Sequence, residues 1–191
     1  MTGTIPARNQ VLLMVVLLGL SGCGSTEPGL AVPMPDSAGP SEPVQRPEEL
    51  PLDDVHPCSL LSGAQLDELG VNSKPRPAGR VCSFDVDRAR PYYSHVLETI
   101  TDADLHAWID GAYASTTVRT RSADVAGFPA LTRFRERGTP GDCETLVSVA
   151  RGQTLRSQLY PITRDAFDQQ ELCALSAKAA TLALRTLRAK G

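Results

Sequence analysis

Residues 143–160 read CETLVSVARGQTLRSQLY, and their alternation decides the fold class. Leu146, Ser148 and Ala150 stand against Thr145, Val147 and Val149, the period of a strand. Gly152-Gln153 suits a tight hairpin turn, after which 154–160 returns as a second strand. Upstream, 116–121 and 130–135 also read as strands, with Gly127 and Pro129 punctuating between them and a turn over 138–141. Downstream, Asp165 or Asp168 opens a long helix to about Lys190. In it Leu172, Leu175, Ala179, Leu182, Ala183 and Leu187 recur at three- and four-residue steps. Arg185, Arg188 and Lys190 fall in its last turn, where cations oppose the negative end of the helix dipole.

Towards the N-terminus, Ser62 is placed to cap a short helix through Leu69, with Leu66 and Leu69 on one face and Gly70 as its stop. Residues 81–87 alternate Cys82, Phe84 and Val86 with Ser83, Asp85 and Asp87, a half-buried strand, and 93–101 is extended. Thr101 is expected to cap a second helix, with Asp102 and Asp104 in its first turn and Leu105, Trp108 and Ile109 as its apolar face. The order of elements predicts an α+β domain: an antiparallel sheet with helices packed on one face, closed by the long C-terminal helix.

The 191 residues divide unevenly. All nine aromatics lie at or after Phe84, which places the packed core in 55–191, about 137 residues and enough for one self-sufficient domain. Residues 24–54 hold seven prolines and seven carboxylates against Arg46 alone, whereas 55–191 carry a net charge of +2. The first of these reads as an extended acidic tether. The second is too balanced for a nucleic-acid footprint.

The N-terminus adds an address. Residues 1–10 carry Arg8 as their single side-chain cation, and 11–20, VLLMVVLLGL, are apolar. Ten helical residues span about 15 Å, half a bilayer's hydrocarbon core, so the pattern is that of an export signal over 1–22. Leu20-Ser21-Gly22-Cys23 looks like the lipobox of bacterial lipoproteins, in which the cysteine thiol takes diacylglycerol and a peptidase cuts just before it. Two acyl chains hold a protein firmly on a membrane where one holds it marginally. Cys23 is therefore the expected lipidation site and mature N-terminus, followed by the tether to residue 54. The protein is placed on the extracytoplasmic face of the cell membrane.

Four cysteines remain, Cys58, Cys82, Cys143 and Cys173, in a compartment where disulfides persist. Three connectivities are open. Cys58–Cys82 with Cys143–Cys173 is favoured, because each bridge then joins neighbouring elements across 24 and 30 residues. A metal site needs close ligand pairs such as C-x₂-C, which these cysteines lack, and none is expected.

His56-Pro57-Cys58-Ser59-Leu60-Leu61, Leu69-Gly70, Cys82-Ser83-Phe84, Ala126-Gly127-Phe128-Pro129-Ala130, Asp142-Cys143 and Leu172-Cys173-Ala174-Leu175-Ser176-Ala177 resemble the actinobacterial lipoproteins called domain of unknown function 3558. The resemblance covers about 55–190. Phe84 stands where that family more often has Trp, and Leu175 and Ser176 interrupt its usual run of small residues. It implies a location, two bridges and a fold, and carries over no catalytic residue.

The chain has no G-x-S-x-G elbow, S-x-x-K, H-E-x-x-H or phosphate-cradling glycine loop. His56 precedes the first bridge. His95 and His106 could meet Asp102 or Asp104 only through the fold, and Asp85 and Asp87 share one strand face. Arg133, Arg135 and Arg137 project together if their strand continues, a basic ridge for an anionic partner. The expectation is a membrane-tethered, non-catalytic binding or accessory domain that needs no cofactor and contacts an envelope protein or polymer rather than nucleic acid. The alternative is an envelope hydrolase whose catalytic groups assemble only in the fold.

Overall fold

The computed structural model describes residues 45–136 and 140–190. Cys23, the export segment, the tether up to residue 44 and Arg137 lie outside the described residues. A 3-10 turn, Pro57–Leu60, is followed by α1 (Gly63–Glu68), β1 (Arg76–Ala78), β2 (Val81–Val86), β3 (Tyr93–Ile100) and α2 (His106–Ile109). Then come β4 (Arg119–Val125), β5 (Phe128–Phe134), β6 (Cys143–Ala150), β7 (Gln153–Pro161) and α3 (Gln169–Lys190). All seven strands form one antiparallel sheet in the order β1-β2-β3-β7-β6-β5-β4. The hairpin 143–160 lies at its centre. β7 reaches back to pair with β3, with Leu97 opposite Ser157.

Strand alternation then sorts the side chains. Phe84, Leu97, Leu155, Val147, Ala130 and Phe128 point to one face and pack with Ala179, Ala180, Ala183 and Leu184 of α3. α1 sits on the same side, where Gln65 donates to the Leu182 carbonyl at 3.0 Å. Its start is a capping box between Ser62 and Gln65, and its stop is Gly70, φ 73°. A Cβ at Gly70 would stand 3.0 Å from the Tyr93 hydroxyl, which donates to the Leu69 carbonyl. α3 begins at Asp168 rather than Asp165: Asp168 and Glu171 exchange side-chain-to-backbone bonds of 2.7 and 2.8 Å. Ser176 is fully buried on the helix, whereas Leu175 is half-buried.

Both favoured bridges are present. Cys58–Cys82 ties the 3-10 turn to β2, and Cys143–Cys173 ties β6 to α3.

Other features depart from expectation for identifiable reasons. β4 runs to Val125 and turns through Ala126-Gly127, both at positive φ, directly into β5. Pro129 lies inside β5, which pairs with β6 only from Ala130 onward, so its missing N–H breaks no bond to β6. α2 is a single turn that starts after Leu105 without a side-chain cap. So short a helix relies on packing, here of Leu105 and Trp108 with Leu131 and Leu146. Leu131 and Leu146 face away from α3, so α2 covers the other side of the sheet, and Ile109 is left 53 % exposed.

The packed body also begins earlier than residue 55. Leu50 donates its N–H to the Val149 carbonyl at 2.8 Å, and Leu52 donates to the Gln153 side chain at 2.6 Å. Both leucines join the main core. Residues 45–54, assigned from composition to the tether, are thus a strap across the β6–β7 turn.

Candidate functional site

The face of the sheet opposite α3 is lined by alternate residues of the central strands: Glu98 of β3, Arg156 and Gln158 of β7, Glu144 of β6 and Arg133 of β5. Arg156 and Glu98 stand directly across β7 and β3, 2.8 Å apart. The Arg156 Nε donates to Glu144 at 2.8 Å, and its remaining arm donates to Gln158 at 2.6 Å. Gln158 in turn donates to Asp142 at 2.7 Å. Burial disfavours the Arg156 charge, but Glu144 and Glu98 more than offset it and hold its pKa above the usual arginine value.

Two depressions meet at Arg156. One of about 500 Å³ is lined by Arg135, Asp142, Glu144, Gln158 and Tyr160. The other, about 330 Å³, is lined by Glu98, Ile100, Asp102, Trp108 and Tyr113. Tyr160 is 40 % exposed and Tyr113 50 %. The Tyr113 ring lies over Trp108 at 5.0 Å between centroids, tilted by 34°. Together they form a polar groove with aromatic rings toward its two ends.

The residues singled out from sequence fall in different places. Arg133 is buried, paired with Glu144 at 3.5 Å and donating to the Tyr113 carbonyl, so it belongs to no exposed ridge. Arg135 is exposed and lines the larger depression, and Arg137 lies outside the described residues. His95 is fully buried on the α3 face, with no hydrogen-bond partner for either ring nitrogen. His106 is exposed on α2, across the sheet. The fold therefore does not bring the two histidines together. Asp104 accepts the His106 N–H, and Asp102 lines the smaller depression. Asp85 is buried, bonded to Arg76 and Ser94, while Asp87 is exposed and bonded to Ser73. His56 accepts the Cys58 N–H and starts the 3-10 turn. No cluster of three or more metal-ligating side chains occurs among the described residues. None of their helices is long and apolar enough to cross a membrane.

The groove residues Glu98, Glu144, Arg156 and Gln158 were missed from sequence. Each occupies the outward position of a central strand, where a long polar side chain has to be accommodated by its neighbours. That signal becomes readable only with the strand order β3-β7-β6, which periodicity does not supply.

The family model described as "Protein of unknown function (DUF3558)" matches residues 18–186. The chain belongs to the DUF3558 family. No curated protein and no solved structure matches it. Within this DUF3558 chain, the matched span takes in both bridges, the strap and every strand of the groove.

Proposed function

We propose that this DUF3558 protein is a lipoprotein of the cell envelope, anchored through lipidated Cys23 on the extracytoplasmic face of the membrane like the actinobacterial lipoproteins it resembles. Its domain binds an envelope component on the open face of the sheet and does no catalysis. The observation that carries binding is the ladder Glu98–Arg156–Glu144–Arg133, in which every charge is already engaged by another. Such a ladder presents fixed donors and acceptors to a ligand. Within the ladder no carboxylate or arginine is left unpaired to take up a lone substrate charge. Anchoring is supported by the apolar run at 11–20 and the box at 20–23.

Two measurements test the reading. A clickable fatty acid fed to growing cells should mark the wild type and leave Cys23→Ala unmarked; equal labelling of both refutes the anchor. Envelope material retained by the wild-type chain should be retained less by Tyr160→Ala and equally by Arg185→Ala, whose side chain is exposed on α3. Equal retention by all three refutes the open face as the site.

A further inference from the structure

The chemistry of the groove points to its ligand class. Resting on the reading of the open face as a binding site, we propose that it holds an uncharged stretch of glycan chain. Three observations converge.

First, the charges lining the groove balance, Arg135 and Arg156 against Asp142 and Glu144 in the larger depression and Arg80 and Arg156 against Glu98 and Asp102 in the smaller, and along the ladder they alternate in sign. An anionic polymer gains from a net positive field, and a cationic peptide from a net negative one. A neutral ligand needs neither.

Second, the groups on the floor are planar and held in place. Arg156 commits Nε and both terminal nitrogens to Glu144, Glu98 and Gln158. A guanidinium has five N–H donors, and each carboxylate keeps lone pairs beyond those its arginine uses. Adjacent hydroxyls on a sugar ring, each both donor and acceptor, match such fixed pairs. Side chains already immobilised lose little entropy when a ligand arrives.

Third, aromatic rings are exposed toward both ends. Tyr160 stands at one end of β7. Tyr113 stands near the other, backed by Trp108, which is itself seated on Leu105, Leu131 and Leu146. The apolar C–H faces of a sugar ring lie flat on such surfaces, while the phenol tips remain in water. From Tyr160 to Arg156, where the two depressions meet, is about 13 Å along β7 at 3.3 Å per residue, and the smaller depression carries the groove on to Trp108 and Tyr113, longer than a single sugar ring.

Trp108 provides the readout, since it is the one tryptophan in the chain and lies under Tyr113. The probe is a neutral polysaccharide extract of the native envelope, titrated onto the full-length chain in detergent. It is used intact, after protease digestion, and after periodate oxidation, which cleaves adjacent diols. The expected result is a saturable change in Trp108 emission that survives protease and disappears with periodate. Tyr160→Ala and Tyr113→Ala should each weaken it at least tenfold while melting within a few degrees of the wild type. A response destroyed by protease and indifferent to periodate overturns the glycan and makes the ligand a protein. No response to the intact extract, or one produced only by an added anionic polymer, overturns it as well. In each of these cases, envelope retention that still depends on Tyr160 keeps the open face as a binding site. Retention indifferent to Tyr160 removes that reading itself.

Discussion

Ser157 and Ser176 exchange hydroxyl-to-carbonyl hydrogen bonds, each 2.9 Å, between the centre of β7 and the buried side of α3. The Ser176 oxygen also lies 2.9 Å from the Thr145 hydroxyl of β6. A polar residue on an apolar helix stripe is tolerated here because the sheet supplies its partners. Ser176→Ala should cost about 1–3 kcal/mol, the penalty for stranding buried polar groups. Adding Ser157→Ala should cost less than the two single changes combined, because the pair acts as one unit. Urea titrations of the four proteins check both statements, and strict additivity would show that the two serines do not cooperate.

The bridges close loops of 24 and 30 residues. In the chain-entropy picture each contributes roughly 3.5 kcal/mol by restricting the unfolded chain. Cys173→Ser should lower stability by about 2–5 kcal/mol and leave Cys143 as a buried thiol, unreactive until the domain opens. Thiol labelling along a denaturant gradient follows this directly. Labelling of Cys143 in the native state would contradict it.

Acid should loosen the fold through His95. Burial, helped by the Lys178 charge and only partly opposed by the Leu69 backbone, pushes its pKa down to about 4 from an ordinary 6.5. Below pH 6.5 the unfolded chain takes up a proton that the folded one refuses. Stability is therefore complete above that pH and falls as the pH drops toward 4, by about 3 kcal/mol from this group. His95→Leu should remove this component and flatten the profile between pH 6.5 and 4. Identical acid slopes for the two proteins would assign the sensitivity elsewhere.

The strap makes a prediction about where the domain starts. A chain beginning at residue 45 should melt with the full-length protein. One beginning at residue 55 should be several kcal/mol less stable, since it loses Leu50 and Leu52 from the core and the bonds to Val149 and Gln153. Leu52→Ala alone should cost about 2–5 kcal/mol. Equal melting of the two truncations would show that the strap contributes nothing.

What could be read from the sequence was whatever local periodicity and capping express. The hairpin 143–160, the Ser62 cap and the α3 stripe follow from neighbours along the chain, and the bridge pairing is the favoured one of three that the cysteines allow. Proline content misassigned the strap, because Leu50 and Leu52 owe their burial to β6 and β7, about a hundred residues away. Arg133 resembled a member of an exposed ridge for a similar reason. Its partner Glu144 and the Tyr113 carbonyl that covers it come from other elements. The groove is a further case, since Glu98 and Arg133 reach Arg156 and Glu144 only through the pairing of β3 with β7 and of β5 with β6, which the fold establishes.

The strap also fixes where the described chain enters the packed body. The described chain enters the body beside the β6–β7 turn, where Arg46 donates to Ser148 and Glu49 accepts the Arg151 N–H. Tyr160 and Asp142 lie at the opposite end of those two strands, about 20 Å from Ser148 at 3.3 Å per residue. A pull applied at residue 45 would load the two central strands before the edge strands β1 and β4.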